Sequence, residues 1–88
     1  MNSASIFYDE EFARQFQLLP KAIQKIALQK EQIFRSNAFH PSLRLHKLKG
    51  KFQEVWSISI TMQCRILFKV KGNDAIFFIS IGTHALYE

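Results

Sequence analysis

Arg44-Leu45-His46-Lys47-Leu48-Lys49-Gly50-Lys51 places five side chains that carry or can accept positive charge within one short run. Held in place, such cations bind phosphate, arginine through a two-pronged contact and lysine as a point charge. Leu45 and Leu48 offer anchors that would hold the run against a core. The plain alternative is a solvated basic loop. Further along, Arg65, Lys69 and Lys71 fall on alternate positions of a strand-like segment and so share one face. An arginine there can also do no more than lay its stem over apolar neighbours. A third group, Gly82-Thr83-His84-Ala85-Leu86-Tyr87, ends an apolar segment with a histidine and a tyrosine three positions apart. Histidine titrates near neutrality and suits proton transfer. The bland reading of this group is a frayed end.

Other chemistries find little support. His40, His46, His84 and Cys64 do not follow a zinc-ligand spacing, so no metal is expected. Cys64 has no base nearby in sequence to activate it. No glycine-rich dinucleotide or phosphate loop is present, nor a Gly-x-Ser-x-Gly elbow, and no cofactor is expected. Between residues 35 and 71 the only acid is Glu54. Acid–base chemistry there would fall to His, Lys or Tyr. Trp56 shares its alternating face with Ile58 and Ile60, which points to the core rather than to base stacking.

The elements that must position these groups follow from periodicity. Residues 4–8 read as a first strand. Asp9 is placed to cap a helix whose first turn holds Glu10 and Glu11, where negative charge suits the helix dipole. Phe12, Phe16 and Leu19 follow at helical spacing, and Pro20 ends that helix or begins the next. Ile23, Ile26, Ala27, Ile33 and Phe34 form one stripe of a second helix running to Ser36. Residues 36–50 read as a linker with local order at most. Strands are expected over 55–61, 65–71 and 75–81, with Gly72-Asn73-Asp74 as a turn, and the short links between them require antiparallel pairing. Together these give an α+β domain of two layers. Helices cover one sheet face, and the other face is wet and basic, carrying Arg65, Lys69 and Lys71.

The whole chain of 88 residues is expected to form a single domain, 1–88. Its net charge of +5 is concentrated between residues 35 and 71, where eight Lys/Arg face one acid. That concentration fits an anionic partner, a nucleic acid or an acidic protein segment, and equally a solubilising lysine face. No apolar run approaches the roughly 20 residues that span a bilayer. Met-Asn-Ser-Ala-Ser-Ile-Phe-Tyr does not read as a secretory signal. With one cysteine, a reducing, cytoplasmic setting is expected.

In order and spacing, several segments resemble the RelE/ParE superfamily of toxins from bacterial type II toxin–antitoxin modules. His40-Pro-Ser-Leu-Arg-Leu-His-Lys-Leu-Lys-Gly50 is similar to the family's His-Pro and Leu-Lys-Gly segment. Val55-Trp-Ser-Ile-Ser-Ile60 and Arg65-Ile-Leu-Phe68 resemble its next strands, and Ile79-Ser-Ile-Gly-Thr-His84 with Tyr87 its closing motif. The opening Phe7-Tyr-Asp-Glu-Glu-Phe12 fits as well. The resemblance implies a microbial-RNase-like (RelE-like) fold, an antiparallel sheet with two N-terminal helices packed on one face. For the RelE/YafQ-like branch it implies an mRNA interferase that cuts messenger RNA in the ribosomal A site without a metal, the RNA's own 2′-OH attacking the adjacent phosphate. It also implies a cognate antitoxin as partner and an oligomer formed with it.

Carried over by position, Lys47 and Lys49 match basic residues that contact RNA and assist proton transfer. Arg65 matches the arginine on the scissile phosphate, and His84 and Tyr87 match acid–base positions. Arg44, His46, Lys51, Lys69 and Lys71 would bind RNA, with His46 a further candidate for proton transfer. The chain departs from relatives at Ala85, where an acid is common, and at Ser80, where some have a second arginine. Two rival readings therefore stand beside the first: a ParE-like toxin that inhibits gyrase without cutting RNA, and an inactive RNA-binding relative.

Overall fold

The computed structural model describes residues 5–50 and 54–83. Strand β1 (Ser5–Tyr8) leads into helices α1 (Glu10–Leu18) and α2 (Lys21–Ser36). A 3₁₀ turn (Pro41–Leu43) follows, and then β2 (His46–Lys47), β3 (Trp56–Ser59), β4 (Arg65–Lys71) and β5 (Ala75–Gly82). The strands form one sheet in the order β1-β5-β4-β3-β2.

Local chemistry explains the helix boundaries. Pro20 occupies the N-cap of α2, where its missing N–H costs nothing. The Gln24 side chain closes the end of α1 by donating to the carbonyls of Phe16 at 2.9 Å and Leu19 at 3.1 Å. Asp9 stands at the N-cap of α1, but its side chain makes no capping bond. Glu10 and Glu11 still place negative charge in the first turn.

The helices bury Phe12, Ala27 and Phe34 against Ile58, Ile66, Phe68, Ile76, Phe78 and Ile81. Phe34 meets Phe68 and Phe78 nearly edge to face, with ring centroids 5.2 and 5.8 Å apart. A register shift on β5 keeps this face apolar. Leu67 pairs with Ser80 and Phe68 with Phe78, so Ile79 is an extra residue, and the inward positions change from Ile76 and Phe78 to Ile81. Gln15 on α1 reaches the same place, where its Oε1 accepts from the Ile81 N–H at 2.9 Å.

Three sequence expectations need correction. First, the sheet is mixed, not antiparallel: β3–β5 form the expected antiparallel meander, but β1 lies parallel to β5. Two helices separate β1 from the meander, so no tight turn fixes its direction, and alternation within a strand carries no information about that direction. Second, residues 36–50 are not merely a linker. The His40 Nδ1 accepts from the Ser42 N–H at 3.1 Å and caps the 3₁₀ turn. Arg44 is left-handed at φ 48°, and His46–Lys47 then adds a short edge strand to β3. Third, the face away from the helices is not uniformly wet. Leu48, Val55 and Leu67 are buried there with Ile79 packed against them, and Ser57 is fully buried.

Candidate functional site

Register decides which candidate side chains meet, because residues directly opposite across a ladder project from the same face. Arg65 pairs with Ser59 on one side and Gly82 on the other, on the face away from the helices. In the next row are His46, Ser57, Leu67 and Ser80. His46 therefore shares Arg65's face, two strands across and one row along, or about 12 Å at ordinary strand geometry.

Both groups are held. Arg65 is partly buried, and its Nη1 donates to the carbonyls of Thr61 at 2.5 Å and Cys64 at 3.3 Å in the β3–β4 turn. The His46 Nδ1 lies 3.1 Å from the carbonyl of Arg44, the left-handed residue. A carbonyl can only accept, so Nδ1 is the donor in that contact and Nε2 is the nitrogen left to face a ligand. Arg44 itself is exposed. Its unusual backbone conformation thus helps orient a potential base.

Lys47 does not join Arg65. It pairs with Trp56, on the helix side of the edge, and its Nζ stands 5.9 Å from the indole centroid. Lys47, Lys69 and Lys71 instead line a hollow of about 390 Å³ with Glu54 and Trp56 at the far end of β4. Trp56 is half-buried against the main core, as its alternation predicted. Along β4, Arg65 thus lies at one end and Lys69 and Lys71 at the other, with His46 in the Leu67 row between them. Buried Leu67 lies between Arg65 and Lys69 on the same strand face. Leu45 and Leu48 both act as anchors, but into opposite faces: Leu45 packs on the main core and Leu48 joins the small cluster with Val55 and Leu67. Lys49 is exposed beyond β2. Lys51, His84 and Tyr87 lie outside the described residues.

Cys64 is buried, and burial raises its thiol pKa above the ordinary value, which disfavours the nucleophilic thiolate. Among the described residues no three His, Cys, Asp or Glu side chains gather as a metal site would need, and no helix is long and apolar enough to cross a membrane.

The sequence reading missed the fixed orientation of His46, which depends on a positive φ at a non-glycine residue. It also missed an aromatic pair on the open face. Phe7 and Phe77 face each other across β1–β5 and stack with centroids 5.1 Å apart. The parallel register that joins them is not written in either segment alone.

No protein-family model matches the chain, and no curated protein does. Solved structures do. YafQ in the E. coli DinJ-YafQ toxin-antitoxin complex superposes with a TM-score of 0.78 at 16% identity, covering 97% of each chain. A YoeB/ParE toxin from Agrobacterium tumefaciens gives 0.76 at 17% identity, over 91% of this chain and 98% of that one. The YoeB dimer from Staphylococcus aureus gives 0.73 at 19%, over 93% and 98%. The chain therefore has the RelE/YafQ-like α+β fold that the sequence resemblance implied.

Proposed function

We propose that this protein is the toxin of a type II toxin–antitoxin module and an endoribonuclease that cuts messenger RNA on the ribosome. The observation that carries the reading is the placement of Arg65 and His46 on one sheet face, within a fold shared end to end with YafQ and YoeB toxins. β5 ends at Gly82, opposite Arg65, and His84 follows two positions later in the sequence.

In this reading a base removes the proton from the ribose 2′-OH, and that oxygen attacks the adjacent phosphorus. The 5′-oxygen leaves with a proton from an acid, so the upstream fragment ends in a cyclic phosphate. Arg65 stabilises the charge that builds on the phosphate oxygens. His46, with Nδ1 engaged by the Arg44 carbonyl and Nε2 left to face the substrate, is the candidate base, and His84 and Tyr87 are the remaining proton-transfer candidates. Lys47 and Lys49, with Arg44, Lys51, Lys69 and Lys71, hold phosphates on either side. An antitoxin with an acidic segment would be drawn to the same cations, chiefly through a faster encounter. No metal or other cofactor has a part in this scheme.

The test is inducible expression with mapping of transcript ends. Arg65→Ala and His84→Ala each relieve growth arrest in soluble, folded protein, and Arg65→Ala slows cleavage by about 10²–10³-fold, as loss of one positioned charge-stabilising donor does. Full toxicity in both variants would overturn the site. Intact transcripts with accumulating DNA breaks would move the protein to the gyrase-inhibiting class. Normal growth under strong expression of the unmodified chain would mark it as an inactive relative.

A further inference from the structure

The Phe7–Phe77 pair has no part in the cleavage chemistry, and the core does not use it. Neither ring belongs to a buried cluster, and Phe7 is 49% exposed. The rings lie nearly parallel, with 20° between their planes, so the outer ring presents a flat face backed by the inner one. Two cations stand beside it. Lys69 is paired with Phe77 across β4–β5, and the Lys71 Nζ is 5.6 Å from the Phe77 centroid. Phe7, Phe77, Lys69, Lys71, Ile79 and the opposing charge of Asp9 are among the residues lining a hollow of about 330 Å³. Lys69 and Lys71 also line the neighbouring hollow that holds Lys47 and Trp56.

An unpaired nucleobase offers a flat π face to a ring and leaves its phosphates for nearby lysines, whereas a duplex keeps its bases stacked inside. A peptide pairing with the edge of β1 would use the backbone and would have no need of a flat ring face. We propose that Phe7, backed by Phe77, is a platform on which an unpaired base of single-stranded RNA stacks, with Lys69 and Lys71 taking the flanking phosphates. The identity of the strand rests on the RNA-cutting reading above. Phe7 and Phe77 have no part in that reading, Lys69 and Lys71 belong to both, and all four lie toward the opposite end of the sheet face from Arg65.

Fluorescence anisotropy of the full chain tests this with a short oligoadenylate and an abasic oligoribonucleotide of the same length. The unmodified protein is expected to bind the oligoadenylate about tenfold more tightly than the abasic strand. Phe7→Leu keeps an apolar side chain of similar bulk and loses the preference, while Phe7→Trp keeps it, and thermal melts verify that both variants fold. Equal binding by the Leu and Trp variants overturns the platform, as does the lack of any base preference in the unmodified chain. So does a Phe7→Leu protein that still prefers the oligoadenylate but no longer captures its antitoxin, which would make the patch a protein-binding surface. Transcript mapping separates the two proposals. Base preference without cleavage refutes the nuclease and leaves the platform standing, and cleavage without base preference refutes the platform alone.

Discussion

At the scale of single residues, what matters is how each polar group is satisfied. The His46 imidazole is oriented by a carbonyl, and the Arg65 Nη1 is committed to the β3–β4 turn. Both are thus partly organised before any substrate arrives, which limits the reorganisation that charge stabilisation would otherwise require. Ser57 is the opposite case. It is fully buried between Leu67 and His46 in its row, and its Oγ has no hydrogen-bond partner among the described residues. An unpartnered buried hydroxyl carries a desolvation penalty of about 1–3 kcal/mol. Ser57→Ala removes that penalty and opens little space. The variant is expected to melt a few degrees higher, about 4–8 °C for each kcal/mol in a domain of this size. A drop in melting temperature would mean that the hydroxyl contributes through contacts other than hydrogen bonds.

At the scale of elements, the junction between β1 and α2 depends on a polar triad. The Tyr8 hydroxyl donates to Glu31, and the Arg35 Nη2 donates to the same hydroxyl at 3.3 Å while lying 3.6 Å from the Glu31 carboxylate. Burial, and then the bond to Glu31, raise the Tyr8 pKa above its ordinary value. The folded state therefore favours the protonated phenol. The stability this provides is present below the unfolded value of about 10 and is lost as pH rises through the higher folded value. Tyr8→Phe should cost about 1 kcal/mol at pH 7, modest because the ring is half exposed. Melting curves of both proteins should converge as the pH climbs past about 10. A gap that stays constant into alkali would remove Glu31 and Arg35 from the account. Elsewhere at this scale, the extra residue on β5 lets one strand serve two faces. It turns Ile81 inward and places Gly82 beside Arg65.

At the scale of the molecule, charge separation is the main property. The excess of Lys and Arg in the middle of the sequence is spread along β4, Arg65 at one end and Lys69 with Lys71 at the other, with the buried Leu67 between. RNA binding driven by such groups weakens as salt rises, because each phosphate contact releases counterions. The logarithmic slope should fall by about 0.7 when Lys69 is replaced by Gln, the share of one contact on a single strand. An unchanged slope would show that Lys69 does not touch phosphate. Arg65→Ala, by contrast, should affect cleavage far more than binding, since its role is charge stabilisation in the reaction.

Much of this was legible in the sequence because it depends on local patterns. The stripe of Ile23, Ala27 and Phe34 fixed a helix face, and the alternation of Arg65, Leu67, Lys69 and Lys71 fixed a strand face. The turn at Gly72–Asp74 and the proline at the start of α2 were equally local. Three features needed the folded chain: the parallel entry of β1, the strand hidden in residues 46–47, and the assignment of neighbouring Lys47 and His46 to opposite faces. Periodicity records which side chains of one segment point the same way. It does not record which segment lies beside it, in which direction or at what offset. Those are set by packing between residues far apart in sequence. The sequence by itself therefore determined the candidate cations and the elements that carry them. Tertiary pairing decided that His46 shares the face of Arg65, that Lys47 joins Lys69 and Lys71 around one hollow, and that Phe7 meets Phe77.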